Sequence, residues 1–293
     1  MDERTALSVL ADRLGPAGDD AAVIEDLVFT IDMLHASTDF PNGTTRYTAG
    51  WRAVGASLSD VAAMGAHPIA AVAVYAAPSF ESEQLIAFVD GAREVCAAAG
   101  TEYVGGDLDG NPEFSAATAA IGRTESPIRR SGADPGDVIC VTGTLGRSAA
   151  ALALFADGKT ERANDLFRFE PRIAAGRVLS PYASAMMDSS DGFARSLHQL
   201  AEASGVGFAA ESPLPIDETV EEVAANRDER REMGVFFGED FELVCTLDPD
   251  DLAAARAASP VRLTPVGRVR AEGGVTLDGD PLPDRGYTHG RSD

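Results

Sequence analysis

Residues 48–77, TAGWRAVGASLSDVAAMGAHPIAAVAVYAA, contain the pattern that decides the fold. Small and apolar residues recur at helical spacing over 48–66, and PIAAVAVYAA (68–77) is typical of a strand. The same order returns downstream. SEQLIAFVDGAREVCAAAG (82–100) has helical periodicity, and EFSAATAAIG (113–122) is a strand-like run. Because helices and strands alternate, the sequence indicates a mixed α and β architecture.

The flanking sequence extends this alternation in both directions. Upstream, ALSVLADRL (6–14) is helix-like and AAVIEDLVFTI (21–31) is strand-like. Downstream, RRSGADPGD (129–137) is rich in Gly, Pro and Asp and marks a break before the strand VICVTG (138–143). We then predict helices over 146–157, 171–180, 192–204 and 251–258, strands near 184–188, 206–210, 240–246 and 261–269, and a tail at HGRSD. We expect an α+β or α/β fold of two similar-sized domains, 1–130 and 131–293.

The charge composition is strongly acidic. The chain has 47 Asp and Glu against 24 Lys and Arg, a formal net charge of −23, and Lys159 in the polar loop DGKTERAND is the only lysine. Carboxylate excess with lysine depletion is typical of proteins from salt-accumulating halophiles, where concentrated salt screens the repulsion between surface carboxylates. Because the sequence has no basic stripe for phosphates, we do not expect a nucleic-acid partner.

Hydropathy and cysteine content indicate a cytoplasmic protein. We find no charged-then-apolar leader and no 18 consecutive apolar residues, so we do not expect a membrane association. Cys96, Cys140 and Cys245 are widely spaced in apolar surroundings, which favours reduced core thiols over a disulfide framework or a zinc site.

The common nucleotide and hydrolase motifs are missing. The sequence has no GxxxxGK[ST], no GxGxxG after a strand, no GxSxG, and no HExxH among its four histidines. A phosphate-handling site in this chain must therefore depend on carboxylate-held metals, glycine-rich backbone and arginine.

Several carboxylates lie among Gly, Ser and apolar residues, where hydration of the surface does not explain them. They occur in GDD (18–20), TID (30–32), SLSD (57–60), GGD (105–107), DSSDG (188–192) and GEDFEL (238–243). Mg²⁺ takes oxygen ligands, usually one or two carboxylates per ion together with water and substrate phosphates. Scattered single carboxylates therefore favour several Mg²⁺ ions around a polyphosphate.

Structural explanations compete with this interpretation. Ser190 and Asp191 have the right identity to cap the helix that follows them. Asp60 fits a helix carboxylate facing solvent, and a tight turn explains Gly105 and Gly106. These alternatives stay open at the level of sequence.

Taken in order, GDDAAV, TIDML, SLSDVAAMGAHP, GGD, RSGADPGDVICVTGTLG, DSSDGF and GEDFEL resemble the motifs of the thiamine-monophosphate kinase family. That family belongs to the aminoimidazole ribonucleotide synthetase-like (PurM-like) superfamily. The resemblance runs from about residue 15 to the closing RGYTH (285–289). It implies a two-domain α+β fold whose N-terminal domain pairs with its copy in a homodimer. It also implies ATP bound between the domains, several Mg²⁺ ions, and phosphoryl transfer from ATP to thiamine monophosphate.

The resemblance also implies roles for individual residues. The matched magnesium ligands are Asp20, Asp32, Asp60, Asp107, Asp188 and Asp191, with Thr30 and Ile31 as hydroxyl or backbone ligands beside them. The matched ATP contacts are Gly106, Asp107, Arg130 and Ser190. The matched substrate contacts are Asp39, Glu239, Asp240 and Tyr287. No residue is expected to act as a catalytic base, and Asp19 is expected to support Asp20.

A few positions depart from the family pattern. Asp39 stands where the family has a histidine near the acceptor, and an aspartate there can attract the cationic thiazolium. Ser57 replaces an asparagine, and Ile31 replaces a residue that bears a hydroxyl. Two alternative functions remain: an ATP-dependent ligase of the aminoimidazole ribonucleotide synthetase type, and a non-catalytic protein that binds nucleotides or divalent ions.

Overall fold

The alternation of helices and strands produces two β-sheets with helices packed against them. The computed structural model describes Val9, Arg13, Leu14 and residues 18–287. The predicted helix over 6–14 and the tail HGRSD therefore lie outside the described residues, apart from those three positions. Within the described part, no helix combines the length and apolarity needed to cross a membrane.

The N-terminal sheet has five strands in the order β1-β2-β5-β3-β4. The strands are β1 (Ala22–Ile24), β2 (Leu27–His35), β3 (His67–Ala77), β4 (Tyr103–Gly110) and β5 (Ser115–Arg123). Neighbouring strands are antiparallel except β3 and β4, which are parallel and are connected by a helix. Helices α1 (Arg46–Ala63) and α2 (Ser82–Ala98) pack against each other, and α1 also contacts β2, β3 and β5.

The second sheet has seven strands in the order β12-β11-β8-β10-β6-β9-β7. Its strands are β6 (Val138–Thr142), β7 (Ala183–Asp188), β8 (Gly207–Ala210), β9 (Leu243–Leu247), β10 (Leu263–Arg270), β11 (Gly274–Leu277) and β12 (Asp280–Pro281). The helices that follow β5 in the chain are α3 (Arg147–Ala156), α4 (Thr160–Phe167), α5 (Ile173–Leu179), α6 (Phe193–Ser204), α7 (Glu218–Val223), α8 (Arg227–Arg231) and α9 (Leu252–Ala258). A short π-helical segment, Glu232–Phe236, follows α8. The fold is α+β with two sheets, as expected from the sequence.

Helices α1 and α2 approach each other unusually closely because glycines lie at their contact. A Cβ atom at Gly50 would lie 2.1 Å from the carbonyl oxygen of Phe88, and one at Gly91 would lie 2.0 Å from that of Tyr47. No other residue type fits at either position without moving one helix. The pair therefore forms a rigid layer behind the sheet.

Three local predictions were wrong. The run 21–31 forms parts of two strands, because Glu25 adopts a positive φ of 57° and turns the chain between β1 and β2. Gly105 and Gly106 do not form a tight turn but belong to strand β4. The polar stretch after Lys159 is not a loop but helix α4, which turns Phe167 into the core.

Candidate active site

Three carboxylates from separate elements meet at one point. Asp20 precedes β1, Asp60 lies near the end of α1, and Asp188 ends β7. One oxygen from each lies within 4.8 Å of the others. Asp60 does not face solvent from an isolated helix surface, because α1 is buried along most of its length and directs this side chain into the cluster. We call these three residues the carboxylate cluster.

Mutual repulsion and burial make the cluster electrostatically unfavourable by itself. Burial, together with the charges of Asp32, Asp188 and Asp20, raises the pKa of Asp60 well above its ordinary value. Burial and the charge of Asp20 raise the pKa of Asp188 to about 7. A bound cation would relieve this repulsion and favour the ionised carboxylates.

Arg130 is the cation that contacts the cluster in this structure. Its Nη2 lies 3.0 Å from Oδ1 of Asp20. Burial lowers the pKa of Arg130, but the charge of Asp20 outweighs that effect, so the pKa is raised. Asp19 accepts hydrogen bonds from the backbone N–H of Arg130 at 2.8 Å and from Nη1 of Arg129 at 2.7 Å. The two adjacent aspartates thus have different tasks: Asp20 joins the cluster, and Asp19 holds the segment that carries Arg130.

The donor set fits a divalent metal ion. Within the described chain, the two carboxylate oxygens of Asp188 and the hydroxyl of Ser59 are buried and none makes a hydrogen bond of normal geometry, although Ser59 lies near enough to lower the pKa of Asp188. A buried carboxylate without partners is costly unless a metal or a proton compensates it. Hard oxygen ligands from three elements are typical of Mg²⁺ sites.

Strand β2 presents alternate residues to opposite faces. The hydroxyl of Thr30 donates a short hydrogen bond to Asp60, and Asp32 accepts one from Ser57 at 2.6 Å. Burial raises the pKa of Asp32, although the Ser57 hydrogen bond opposes that shift. Ile31 lies between them on the other face with 71% of its surface exposed. The side chain of Ile31 thus points away from the cluster, and the expected contact of this residue with a metal is one through its backbone.

Gly106 and Asp107 are consecutive in strand β4 and therefore face opposite sides of the sheet. In the pairing register, Gly106 lies in one row with Ala73 and Asp32, whereas Asp107 lies in the row of Met33. A Cβ atom at Gly106 would lie 1.7 Å from the carbonyl oxygen of Ala73, so this position requires glycine. Asp107 is exposed and is not one of the three carboxylates that converge.

The DSSDG turn connects the carboxylate cluster to a neighbouring loop. The carbonyl oxygens of Ser190 and Asp191 accept hydrogen bonds from the backbone N–H groups of Glu239 and Tyr287, at 2.6 and 3.1 Å. Neither Ser190 nor Asp191 caps α6, because the N-cap is Gly192 and no side chain caps the helix. The capping alternative for these two residues was therefore wrong.

An acid-lined cavity of about 640 Å³ is connected to this turn through Glu239 and Tyr287. Asp39, Glu239 and Tyr287 line it together with aromatic and aliphatic residues, among them Phe40, Phe155 and Phe237. Asp39 accepts hydrogen bonds from the backbone N–H of His35 at 2.7 Å and from the Thr38 hydroxyl at 2.8 Å. The Tyr287 hydroxyl lies 3.5 Å from Asp39. Three of the four residues that the resemblance assigns to the substrate therefore share this cavity.

The fourth, Asp240, does not line the cavity. Its two oxygens accept hydrogen bonds from the backbone N–H groups of Gly146 at 2.6 Å and Ser148 at 3.0 Å, at the start of α3. Burial raises the pKa of Asp240 to about 7 despite these two bonds. The structure thus gives Asp240 a local partner at a helix N-terminus.

Sequence reasoning missed one residue next to the cavity. Arg52 lies in the middle of α1, almost completely buried, and its Nη2 donates to Oε2 of Glu239 at 2.7 Å. A lone arginine among small residues in TAGWRAVGASLSD was the available signal, but its partner lies 187 positions away.

Two family models and several curated relatives match this chain over most of its length. The family model AIR synthase related protein, N-terminal domain, matches residues 18–124, and AIR synthase related protein, C-terminal domain, matches residues 134–280. A thiamine-monophosphate kinase from Halobacterium salinarum is 62% identical over 291 residues, covering 99% of this chain and 100% of the relative. One from Methanospirillum hungatei is 38% identical and covers 99% of both chains.

Solved structures agree with these sequence relatives. The structure of AaThiL complexed with AMPPCP and TMP has a TM-score of 0.89 at 28% identity, covering 98% of this chain and 97% of that one. A thiamine-monophosphate kinase from Stenotrophomonas maltophilia has a TM-score of 0.82 at 32% identity and covers 94% and 95%.

Proposed function

Because the chain belongs to the thiamine-monophosphate kinase family, we propose that it transfers the terminal phosphoryl group of ATP to thiamine monophosphate, giving thiamine diphosphate and ADP. The observation that carries this proposal is the DSSDG turn, which begins at Asp188 of the carboxylate cluster and accepts backbone hydrogen bonds from Glu239 and Tyr287 of the acid-lined cavity. Such an arrangement suits a polyphosphate on one side and a cationic acceptor on the other.

Asp20, Asp60 and Asp188 would hold Mg²⁺, with Thr30 fixing the carboxylate of Asp60. When bound, Mg²⁺ neutralises phosphate oxygens and orients the transferring group. Asp32, Asp107 and Asp191 remain proposed ligands of further ions that accompany ATP. Gly106, Arg130 and Ser190 remain proposed ATP contacts.

The chemistry needs no general base. ATP and thiamine monophosphate together bring about six negative charges at pH 7, and the attacking phosphate oxygen is already largely deprotonated. Arg130 is placed to balance part of this charge at the cluster. What the chain contributes is positioning and electrostatic stabilisation, which are the main sources of rate in phosphoryl transfer.

The cavity suits the acceptor's organic part. Phe40, Phe155 and Phe237 offer apolar surface to the two heterocycles, and Asp39 and Glu239 offer negative charge to the thiazolium cation. Asp39 thus supplies a charge where the family has a histidine. Tyr287 adds a hydroxyl to the same wall.

We also propose a cytoplasmic homodimer formed through the N-terminal domain, taken as residues 1–130. The face of the five-stranded sheet that points away from α1 exposes large apolar side chains: Phe29, Ile31, Met33 and Val72. Contiguous exposed apolar surface of this kind is typical of interaction sites. A second copy of the same face is the partner we propose.

The decisive experiment measures ADP formation with ATP, Mg²⁺ and thiamine monophosphate in concentrated KCl. The matched control is Asp188→Asn, which keeps size and shape but removes a cluster charge, so turnover in that variant would reveal a contaminating kinase. Turnover of formylglycinamidine ribonucleotide instead of thiamine monophosphate would transfer the assignment to the ligase alternative. Nucleotide binding without turnover of either acceptor would favour a non-catalytic protein.

A further inference from the structure

Arg52 is a buried cation in a helix made mostly of small residues. Only 1% of its surface is exposed, and it packs against the aromatic rings of Phe167, Phe169 and Phe241, with the guanidinium 3.6 Å from the Phe167 ring centre. A buried charge is costly unless it is paired and hydrogen-bonded. Burial accordingly lowers the pKa of Arg52, while Glu239 and Asp240 oppose that shift.

The guanidinium uses both of its terminal nitrogens. Nη2 donates to Oε2 of Glu239 at 2.7 Å, and Nη1 donates to the carbonyl oxygen of Phe167 at 2.5 Å and to the Ser148 hydroxyl at 3.3 Å. A planar fork with fixed directions can make these bonds together, whereas the single ammonium of lysine cannot reproduce them. The Glu239 carboxylate is therefore fixed in direction by an arginine whose own position is fixed.

The backbone of Glu239 is held as firmly as its side chain. Its φ is 58°, in the positive region that non-glycine residues rarely adopt. Gly238 before it (φ 87°) and Phe241 two residues after it (φ 54°) also have positive φ. The N–H of Glu239 donates to Ser190, and its carbonyl oxygen accepts from the Ser148 hydroxyl at 2.6 Å. Glu239 lines the cavity, whereas Arg52 lies behind it and does not.

From this geometry we propose that Arg52 is a positioning residue for the acceptor, acting only through Glu239. It holds the Glu239 carboxylate at the cavity wall, and it cancels one of the two charges that Asp39 and Glu239 bring there. The remaining single negative charge matches the single positive charge of the thiazolium ring. The inference rests on the proposed function, because it takes the cavity as the acceptor site.

The test compares Arg52→Lys with wild type in the full chain, measuring KM for thiamine monophosphate, KM for ATP and kcat separately. Losing a buried charge-assisted hydrogen bond should raise KM for thiamine monophosphate about tenfold or more, with KM for ATP changed less than about twofold. The matched control is Arg46→Lys, on the same helix, where the arginine stacks on Phe114. We expect the control to leave both KM values near wild type.

A double variant shows whether Arg52 acts through Glu239. In a Glu239→Gln background, Arg52→Lys should add little to KM for thiamine monophosphate, because the pair is already broken. Additive effects would overturn the inference. If Arg52→Lys does not fold, Glu239→Gln alone must still raise that KM selectively, and an unchanged value overturns the inference equally.

Ligand binding tests the match of charges between the cavity and the thiazolium separately. Wild type should bind thiamine monophosphate more tightly than its uncharged isostere, in which a thiophene ring replaces the thiazolium while the pyrimidine and phosphate are kept, and Glu239→Gln should reduce this preference. Equal binding of the two ligands by wild type would refute the charge match. Wild type that never phosphorylates thiamine monophosphate would refute the proposed function itself. Active wild type with unchanged KM values in a folded Arg52→Lys would refute only the role of Arg52.

Discussion

Replacing Asp60 with asparagine should make the metal-free protein more stable and the enzyme far less active. The substitution keeps the size of the side chain and leaves an oxygen that can accept from Thr30. It removes one of three carboxyl groups that lie within 4.8 Å of one another and can ionise together only against their mutual repulsion. Stability and activity should therefore change in opposite directions, which loss of folding cannot produce.

The expected magnitudes follow from the geometry. At 4.8 Å and an effective dielectric constant of ~20, each pair of ionised carboxylates repels by about 3.5 kcal/mol. Part of this is already relieved, because Arg130 contacts Asp20 and because the raised pKa values of Asp60 and Asp188 favour their protonated forms. We expect a net gain of about 1–3 kcal/mol without metal, a rise in Tm of roughly 2–8 °C. With Mg²⁺ and ATP, loss of a ligand should cut kcat by about 10³-fold, on the order of 4 kcal/mol.

The assay is thermal unfolding in concentrated KCl, with EDTA and then with Mg²⁺, followed by kinetics on the same samples. Wild type should gain stability from Mg²⁺, and Asp60→Asn should gain much less. Asp250→Asn is the control, because Asp250 is exposed at the surface before α9 and its substitution removes the same charge far from the cluster's carboxylates in sequence. If Asp60→Asn responds to Mg²⁺ and turns over as wild type does, the metal assignment is wrong.

Three further predictions concern other parts of the site. Asp191→Asn should lower kcat by at least about 10²-fold with an unchanged circular dichroism spectrum; wild-type turnover would remove Asp191 from the site. The pKa of Asp240 is raised from 3.8 to about 7, so its contribution to stability is lost as pH rises through that window. Between pH 5 and 7, the free energy of unfolding of wild type, measured with denaturant, should fall by up to about 1.4 kcal/mol per pH unit relative to that of Asp240→Asn. Parallel pH curves for the two proteins would contradict this. Met33→Glu should convert the proposed dimer to monomers in sedimentation velocity, and a monomeric wild type would refute the proposed dimer.

The two longest described helices, α1 and α2, were predictable from sequence because their apolar periodicity is strong. The predicted helices over 48–66 and 82–100 agree with α1 and α2 within three residues at each end. Prediction failed where packing overrides local preference. Glycine has low strand propensity, so β4 was missed, yet Gly106 is required there by the close approach of Ala73.

The same distinction holds for the site. The conspicuous aspartates before β1, on α1 and at the end of β7 were identified from their apolar surroundings, and the structure brings Asp20, Asp60 and Asp188 together. Arg52 was not identified, because its role depends on a loop 187 residues away whose path no local pattern describes. Ile31 was included by motif position, and strand alternation turns its side chain to the opposite face.

Helix α1 sets the spacing between the proposed acceptor cavity and the carboxylate cluster. It carries Arg52, which we propose positions Glu239 at the cavity wall, and, eight residues further on, Asp60 of the carboxylate cluster. At 1.5 Å rise per residue this separation is roughly 12 Å along the helix axis. The helix thus sets a fixed distance between these two residues, and Gly50 and Gly91 allow its close contact with α2. Inserting one alanine between Arg52 and Asp60 would rotate one relative to the other by about 100°, so donor and acceptor would lose their alignment although every contact residue is still present.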